Sequence, residues 1–336
     1  MNSIVIQTSF LGDMVLTTPL LAALAERGPV DVVATPASAR LLDNHPAVHR
    51  VLVYDKRGAG RGLGGFRRVV RAMRAARADT AYMAQGSLRS AGLALAAGIR
   101  TRVGFATSAG RALYSRRIPY RRDLHHAARL WQLGTPESEP SAMQIQPKLY
   151  PGDAERAAVD RLLDGTDDGR PMVALAPGSV WATKRWPFYP DLARELTEHA
   201  RLVIVGSAAD RALAEAILAA APRALDATGG LSLLASAELV ARCNVLVSND
   251  SLPQHLASAV GTPTVTLFGP TVPSFGFGPL APGSVVLEHL TLDCRPCTTH
   301  GLRQCPLVHW KCMRDLGADA VAPRVVQLLS QSGPRT

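Results

Sequence analysis

Long apolar runs are absent from this chain, although hydrophobic residues make up 47% of its 336 residues. A membrane-spanning helix needs about 20 consecutive apolar residues, and no run of about 18 occurs. The apolar N-terminal stretch from Met1 to Leu24 contains Asp13 and lacks a basic leader, so we interpret it as a first strand and helix rather than a signal peptide. We therefore expect a globular cytoplasmic protein.

The signatures of several other functions are also missing. The sequence has no Walker A loop, no G-x-S-x-G or H-E-x-x-H motif and no pair of aspartates spaced for a metal ion. Aromatic residues make up only 5% and are not interleaved with basic residues, which argues against nucleic-acid recognition. We predict no nucleic-acid partner and no required metal or cofactor.

Cysteine is scarce, and four of the five cysteines form a C-x2-C-x7-C-x6-C cluster of Cys294, Cys297, Cys305 and Cys312. Without a secretion signal, these thiols are expected to be reduced. The cluster could instead hold a structural metal such as zinc, with His300 or His309 as a further ligand. Because the second spacing is not that of a common zinc module, free thiols are our first interpretation.

Positive charge is concentrated in the first half of the chain. Residues 1–150 contain 21 Lys and Arg against 9 Asp and Glu, whereas residues 151–336 contain 16 against 18. A basic half indicates an anionic partner, such as a membrane surface, a phosphorylated glycan or a nucleic acid. The alternative is that this charge serves solubility alone.

Strand-like and helix-like runs alternate through the chain. Predicted strands are 3–7, 30–34, 50–54, 80–84, 102–105, 172–176, 201–205, 244–247 and 264–267. Predicted helices are 14–26, 66–78, 88–97, 154–163, 189–200, 211–220, 231–242, 251–260 and 319–329. This alternation predicts an α/β fold with two Rossmann-like, doubly wound domains at residues 1–150 and 151–318.

The domain boundary is predicted in the Pro-, Asp-, Gly- and Ser-rich stretch from Pro136 to Arg170, and its helix 154–163 is expected near the hinge. The final helix, 319–330, could pack back on the first domain. Ligands of such sheets bind outside the carboxyl ends of the strands, so we expect the two sheets to face each other across a cleft.

The stretch from Val245 to Thr271 reads as a strand, a helix and a second strand. Asp250 or Ser251 could cap the helix, and Pro253 falls in its first turn. Free N–H groups at such a helix start suit a phosphate, although an ordinary capped helix is the alternative.

Three other turns follow predicted strands. In Gln7–Val15, Gly12 and Asp13 stand at a helix start, where Asp13 could cap the helix or act as a general base. Ala176–Pro187 concentrates hydroxyl groups around Lys184 and Arg185 where a phosphate would lie, although a solvated pair of charges is the alternative. Val205–Asp210 is a weaker nucleotide-binding signal.

A literal G-x-G-x-x-G stands at Gly60–Gly65, but it does not follow a strand tightly, so we interpret it as a mobile loop rather than a dinucleotide site. The helix after it places Arg67, Arg71 and Arg74 on one face. Such a face suits an anionic acceptor or a membrane surface, or it is simply solvated.

Together these motifs resemble glycosyltransferase family 9, the lipopolysaccharide heptosyltransferases. The resemblance covers F-L-G-D-M-V-L-T-T-P-L-L at Phe10–Leu21, A-P-G-S-x-W-x-T-K-R-W-P at Ala176–Pro187, S-N-D-S-x-P-x-H-L-A at Ser248–Ala257, and F-G-P-T at Phe268–Thr271. The motifs occur in the family's order across nearly the whole chain. The cysteine cluster also resembles one that many members have.

The resemblance implies a GT-B fold and inverting transfer of heptose from ADP-L-glycero-D-manno-heptose to the anionic inner core of lipopolysaccharide. It implies Asp13 as the general base and Lys184 as the residue that meets the donor phosphates. The implied donor-binding residues are Ser179, Thr183, Lys184, Ser207, Asn249, Asp250, Ser251, His255 and Gly269. The implied acceptor-binding residues are Ser9, Gly12, Arg61, Arg67, Arg71 and Arg74.

One departure from the family pattern concerns the donor motif. Leu252 stands where the family usually has glycine, and Gln254 stands where methionine is common. The donor preference therefore stays open, and the enzyme could use another nucleotide sugar. The sequence is also compatible with a GT-B-like epimerase, a glycan-binding protein without activity or an NAD-dependent oxidoreductase. We expect a monomer, held peripherally at the inner membrane face.

Overall fold

The computed structural model describes residues 1–331. Two compact units divide the chain, Met1–Tyr150 and a second unit that begins at Pro151. The division falls within the stretch whose composition indicates a boundary. Among residues 1–331, no helix has both the length and the apolar character needed to cross a membrane.

A parallel six-stranded sheet in the order β3-β2-β1-β4-β5-β6 forms the centre of the first unit. Its strands are β1 (Ser3–Gln7), β2 (Val30–Ala34), β3 (Arg50–Val53), β4 (Thr80–Tyr82), β5 (Thr101–Phe105) and β6 (Arg116–Ile118). Its helices are α1 (Leu11–Ala25), α2 (Pro36–Arg40), α3 (Gly62–Ala75), α4 (Leu88–Ala96) and α5 (His126–Gly134). The strand order reverses between β1 and β4, and ligands of doubly wound sheets bind at such a switch point.

The second unit repeats this order, because its sheet runs β12-β11-β10-β7-β8-β9 and all of its paired strands are parallel. Its strands are β7 (Met172–Ala176), β8 (Arg201–Ile204), β9 (Leu225–Asp226), β10 (Val245–Asn249), β11 (Thr264–Phe268) and β12 (Val285–Glu288). Its helices are α6 (Asp153–Leu163), α7 (Tyr189–Leu196), α8 (Arg211–Ala220), α9 (Leu233–Arg242), α10 (Leu252–Val260), α11 (Lys311–Arg314) and α12 (Ala318–Gln331). The switch point here lies between β7 and β10.

Near-continuous apolar strands explain these sheets. In β1, β2, β7, β10 and β11 every residue is buried, as expected for strands covered by helices on both faces. Helix α1 is buried along most of its length, which fits its largely apolar sequence.

Two helices near the ends of the second unit pack within it. Helix α12, which we expected could pack back on the first domain, has Val321, Val325 and Leu328 buried in the core of the second unit, where it packs on α7. Helix α6 begins at Asp153, directly after the boundary between the units, and packs on α9. In both cases the amphipathic pattern predicts a helix but not which surface covers it.

The glycine motif also differs from its prediction. Gly62 to Gly65 are the first turn of α3 rather than a loop. The residues before them fold back on Asp55, whose carboxylate accepts from the N–H of Gly58 at 2.8 Å and of Ala59 at 2.9 Å.

Candidate functional site

The end of β10 is tied to the turn that follows β7. Asn249 is fully buried, and its side-chain amide donates to Pro177 O at 2.9 Å. Its side-chain oxygen accepts from the N–H of Trp186 at 3.2 Å. Asn249 was predicted to bind the donor, and the structure shows its amide bonded to the backbone of the turn that carries Lys184.

A buried ion pair lies at this switch point. Lys184 Nζ donates to Asp250 Oδ2 at 2.6 Å, and the two side chains are only 11% and 8% exposed. Asp250 also accepts from Thr271 Oγ1 at 2.6 Å and from Gln254 Nε2 at 2.9 Å. Because a buried charge is tolerated only when it is paired and hydrogen-bonded, this arrangement holds both charges in one place.

The N-terminus of α10 adjoins this pair. Ser251 occupies the cap position with an extended backbone, but no side chain caps the helix. One of the two predicted cap residues, Ser251, therefore stands at the cap position, but its hydroxyl donates to Gly178 O at 3.4 Å, and the Asp250 carboxylate is bonded to Lys184. Pro253 lies in the first turn as predicted. The positively polarised N-terminus of α10 and the Lys184 ammonium group together are suited to bind an anion.

Other residues of α10 have clear positions. His255 is buried on this helix, and Leu252 is its partly exposed first residue. Gln254 is completely buried, and its contact with Asp250 gives the departure from the family pattern a structural role.

The remaining predicted donor residues are bonded within the unit. Thr183 Oγ1 lies 2.9 Å from Leu302 O and 2.7 Å from Leu302 N. Ser207 Oγ donates to Asp210 Oδ2 at 2.7 Å, and Ser179 Oγ accepts from the N–H of Trp181 at 3.3 Å.

The buried Gly269 is part of the turn after β11, and its carbonyl accepts from Arg295 Nε. The site thus includes Thr271, Gln254 and Arg295, to which sequence reasoning assigned no role. Thr271 belongs to the quoted F-G-P-T motif, whereas no sequence pattern indicated a buried arginine between two cysteines.

In the first unit, Asp13 lies in the first turn of α1, where the helix dipole favours a negative charge. Its Oδ2 is 2.5 Å from Ser9 Oγ, which is also 2.6 Å from Gln7 Oε1. Thr17 Oγ1 donates to the backbone carbonyl of Asp13 at 2.6 Å. Gly12 directly precedes Asp13 and is partly exposed, as Asp13 is. The structure therefore brings the side chains of Ser9 and Asp13 together at the start of α1.

Polar side chains from three strand ends surround this turn. Thr8, after β1, donates to Gln85 Oε1, after β4, at 2.5 Å, and Lys56 Nζ donates to Thr8 Oγ1 at 3.3 Å. A cavity of about 230 Å³ lies beside them, lined in part by Ser9, Lys56 and Arg57. Sequence reasoning assigned no role to Lys56, although it is one of only four lysines.

Several cations gather near this cavity. Burial lowers the pKa of Lys56, and the positive charges of Arg57 and Arg89 lower it further. A bound anion would relieve this repulsion, so the region is suited to an anionic ligand.

The basic face of α3 forms as predicted. Val69, Val70 and Met73 are buried, while Arg67 and Arg71 are exposed on the other side. Exposed basic residues at this helix also include Arg61, which is its cap residue, and Arg74, whose guanidinium donates to Ala96 O at 2.7 Å and 3.2 Å.

The four clustered cysteines and Cys243 are all free thiols. Burial, followed by the neighbouring thiol Cys297, raises the pKa of Cys312 to about 11, and burial also raises the pKa of Cys297. Within residues 1–331, no group of three or more His, Cys, Asp or Glu side chains is arranged to hold a metal ion.

Most of the chain is similar to known proteins. Residues 66–309 match glycosyltransferase family 9 (heptosyltransferase). Lipopolysaccharide heptosyltransferase 2 of Escherichia coli is 29% identical over 82% of this chain and 84% of its own length. Lipopolysaccharide heptosyltransferase 1 of Pseudomonas aeruginosa is 31% identical over 88% of this chain and 86% of its own length.

Solved structures show the same architecture. Heptosyltransferase II of E. coli superimposes with a TM-score of 0.80 at 26% identity, covering 98% of this chain and 99% of that one. An E. coli heptosyltransferase solved with ADP-2-deoxy-2-fluoro heptose has a TM-score of 0.71 at 19% identity, covering 97% and 99%. The two parallel sheets and these neighbours confirm the predicted GT-B fold. The chain is a glycosyltransferase and belongs to family 9, the heptosyltransferases.

Proposed function

We propose that this enzyme transfers L-glycero-D-manno-heptose from ADP-heptose to the inner core of lipopolysaccharide, with inversion at the anomeric carbon. The buried Lys184–Asp250 pair beside the N-terminus of α10 is the observation that carries the proposal. Membership in the family, the named activity of its relatives and the ADP-heptose analogue bound to one structural neighbour support it.

The donor diphosphate binds at the second unit in this proposal. As the bond to the sugar breaks, negative charge grows on the departing phosphate. An ammonium group has three N–H donors, and Asp250 is the one acceptor that Lys184 Nζ meets among residues 1–331. Its other N–H groups and the N–H groups of α10 stabilise the developing charge, which is the usual source of a large rate gain.

The acceptor binds at the first unit. Asp13 removes the proton from the attacking hydroxyl, and Ser9 holds the carboxylate in orientation through its 2.5 Å contact. The anionic groups of the inner core lie near Lys56 and Arg57, while the exposed arginines of α3 attract the acceptor from a distance. We also propose that this face keeps a monomeric enzyme peripherally at an anionic membrane surface.

The reaction needs no metal ion in this proposal. Lys184 and the start of α10 neutralise the leaving group, and both carboxylate oxygens of Asp250 already accept protein hydrogen bonds. Transfer should therefore continue in excess EDTA. Loss of activity under EDTA, with recovery on adding magnesium, would overturn this part of the proposal.

A panel of donors and acceptors tests the function. Purified protein is given ADP-heptose, other ADP-sugars and UDP-sugars, each without acceptor, with heptose-free inner-core lipopolysaccharide or with inner core that already carries one heptose. Nucleotide release and acceptor mass are followed. We expect release with ADP-heptose that depends on the acceptor, together with a heavier acceptor. Transfer from a different nucleotide sugar would refute the donor assignment. Conversion of the donor without a heavier acceptor would indicate an epimerase instead.

A further inference from the structure

An irregular segment, residues 289–310, connects β12 to α11 and contains neither helix nor strand. It exceeds the length of about 12 to 15 residues beyond which structureless connections in compact domains are uncommon. It forms hydrogen bonds with both turns that hold the Lys184–Asp250–Thr271 network. These contacts indicate that the segment has a structural role at the two turns.

Arg295 attaches this segment to the turn that follows β11. Its guanidinium is buried, with a side-chain exposure of 5%. It donates to the carbonyls of Gly269 and His289, to Phe268 O at 3.0 Å, to Thr271 O at 2.9 Å and to the carboxylate of Glu288 at 2.8 Å. The N–H of Cys297 adds a bond to Pro270 O at 2.9 Å. The same turn carries the Thr271 hydroxyl that bonds Asp250, so Arg295 fixes one partner of the ion pair.

Gly301 and Leu302 attach the segment to the other turn. Thr183, which precedes Lys184, exchanges backbone and side-chain hydrogen bonds with Leu302. Gly301 has a φ of +94°, and a Cβ placed there would lie 3.2 Å from Cγ and Cε of Lys184 and 3.0 Å from Cβ of Trp181. The glycine backbone therefore lies directly against the aliphatic stem of Lys184, and an added Cβ would require that stem or Trp181 to shift by a few tenths of an ångström.

We propose that Arg295 and Gly301 are positioning residues that set where the Lys184 ammonium stands. Gly301 restricts the position of the Lys184 aliphatic stem. Arg295 restricts the position of the Lys184 ammonium group, because it holds the turn of Thr271, which bonds Asp250. This inference rests on the proposed role of Lys184 at the donor diphosphate. A displacement of about 1 Å at such a group costs up to about 100-fold in rate, so these residues control donor use although neither bears the reacting charge.

Gly301→Ala is the first test, and Gly283→Ala is its matched control. Gly283 has a φ of +77°, so alanine strains the backbone there as well, but its added Cβ would meet nothing closer than Pro263 Cβ at 3.9 Å. We expect Gly301→Ala to weaken ADP binding and to lower kcat/KM for ADP-heptose about 10- to 100-fold. Acceptor KM should stay unchanged, and Gly283→Ala should lose thermal stability while keeping wild-type kinetics.

Arg295→Lys is the second test, and Arg201→Lys is its control. Arg201 is also largely buried, at 18% side-chain exposure, but it lies at the start of β8 and donates to Arg170 O and Thr166 O. Lysine keeps the charge near Glu288 but has three N–H donors rather than five. We expect the KM for ADP-heptose to rise in Arg295→Lys and to stay at the wild-type value in Arg201→Lys.

Combination with Lys184→Gln separates positioning from general damage. If Gly301 acts through Lys184, Gly301→Ala should change ADP affinity little once Lys184 is replaced. The inference would be overturned if the losses of ADP affinity in Gly301→Ala and Lys184→Gln were additive in the double variant. Equal kinetics for Gly301→Ala and Gly283→Ala would also overturn it. A wild-type enzyme that binds ADP but fails to modify lipopolysaccharide would refute the proposed function, and the ADP-affinity comparison would still decide the positioning role.

Discussion

The two sheets have corresponding strand orders, yet the charged residues near the carboxyl ends of their strands differ in burial. In the second unit, Lys184 and Asp250 are buried and neutralise each other. In the first unit, Lys56, Arg57 and the arginines of α3 are partly or fully exposed. A buried, hydrogen-bonded pair holds one geometry, whereas exposed charges act over a distance and respond to salt. This contrast is what we expect if the second unit binds a nucleotide in a fixed pose and the first attracts a large anionic acceptor.

The largest effect should come from Asp13→Asn. Asparagine preserves the shape and can still accept a hydrogen bond from Ser9, but it cannot take a proton. We expect kcat to fall by about 100- to 10,000-fold while ADP affinity stays near wild type. Steady-state rates and calorimetric ADP binding would measure both. Asp43→Asn, at an exposed surface carboxylate of the same unit, should be fully active, and a nearly active Asp13 variant would refute the base assignment.

Lys184→Gln, in the second unit, should have the next largest effect. The glutamine amide can still donate to Asp250, which limits the cost of leaving a buried carboxylate unpaired. We expect ADP affinity and kcat/KM to fall, the latter about 100- to 1,000-fold, in the range seen for loss of a transition-state donor. Unchanged ADP affinity would show that the buried pair is purely structural.

A smaller effect is expected from the exposed arginines. Replacing Arg67 and Arg71 by glutamine should raise acceptor KM by about 5-fold per residue at low salt, and the difference should shrink as salt is added. Donor KM should not change. The paired control replaces Arg223 and Arg324, which are exposed on the second unit. Equal behaviour of the two double variants would mean that the face on α3 is only solvated.

The smallest effect concerns stability rather than activity. Burial lowers the pKa of His45, in the first unit, from 6.5 to about 4. Between pH 6.5 and about 4, His45 is protonated in the unfolded chain but neutral in the folded unit. The free energy of unfolding therefore decreases as pH falls through this range. The loss is at most about 3 kcal/mol.

Urea unfolding at several pH values would measure this loss, and His45→Asn should reduce its slope. The replacement can still accept the bond from the N–H of Ala47, which His45 Nδ1 accepts at 3.2 Å. The same slope in both proteins would contradict the assignment to His45. Burial lowers the pKa of His126 to about 3, so part of the acid sensitivity should persist in the variant.

Buried strands and their turns were predictable because apolar runs and glycine or proline turns are local signals. The predicted strands 3–7, 30–34 and 172–176 match the structure. The short edge strands β6, β9 and β12 were missed, since Arg116 and Arg117 in β6, for example, show no buried pattern.

The site was only partly predictable for a related reason. Lys184 and Asp250 lie in motifs that mark strand ends, so their joint position follows from the parallel sheet. The bond between them, the burial of Gln254 and the contacts of Arg295 depend on tertiary packing. No periodicity in the sequence encodes how an irregular segment such as 289–310 folds against two turns.

The configuration of the transferred sugar tests the central claim most directly. If Asp13 acts as a base and the acceptor hydroxyl attacks the donor in a single displacement, the new bond must have the opposite anomeric configuration from ADP-heptose. NMR of the product made by the wild-type enzyme would read this configuration. We predict inversion; retention, or a sugar trapped covalently on the protein, would contradict the account.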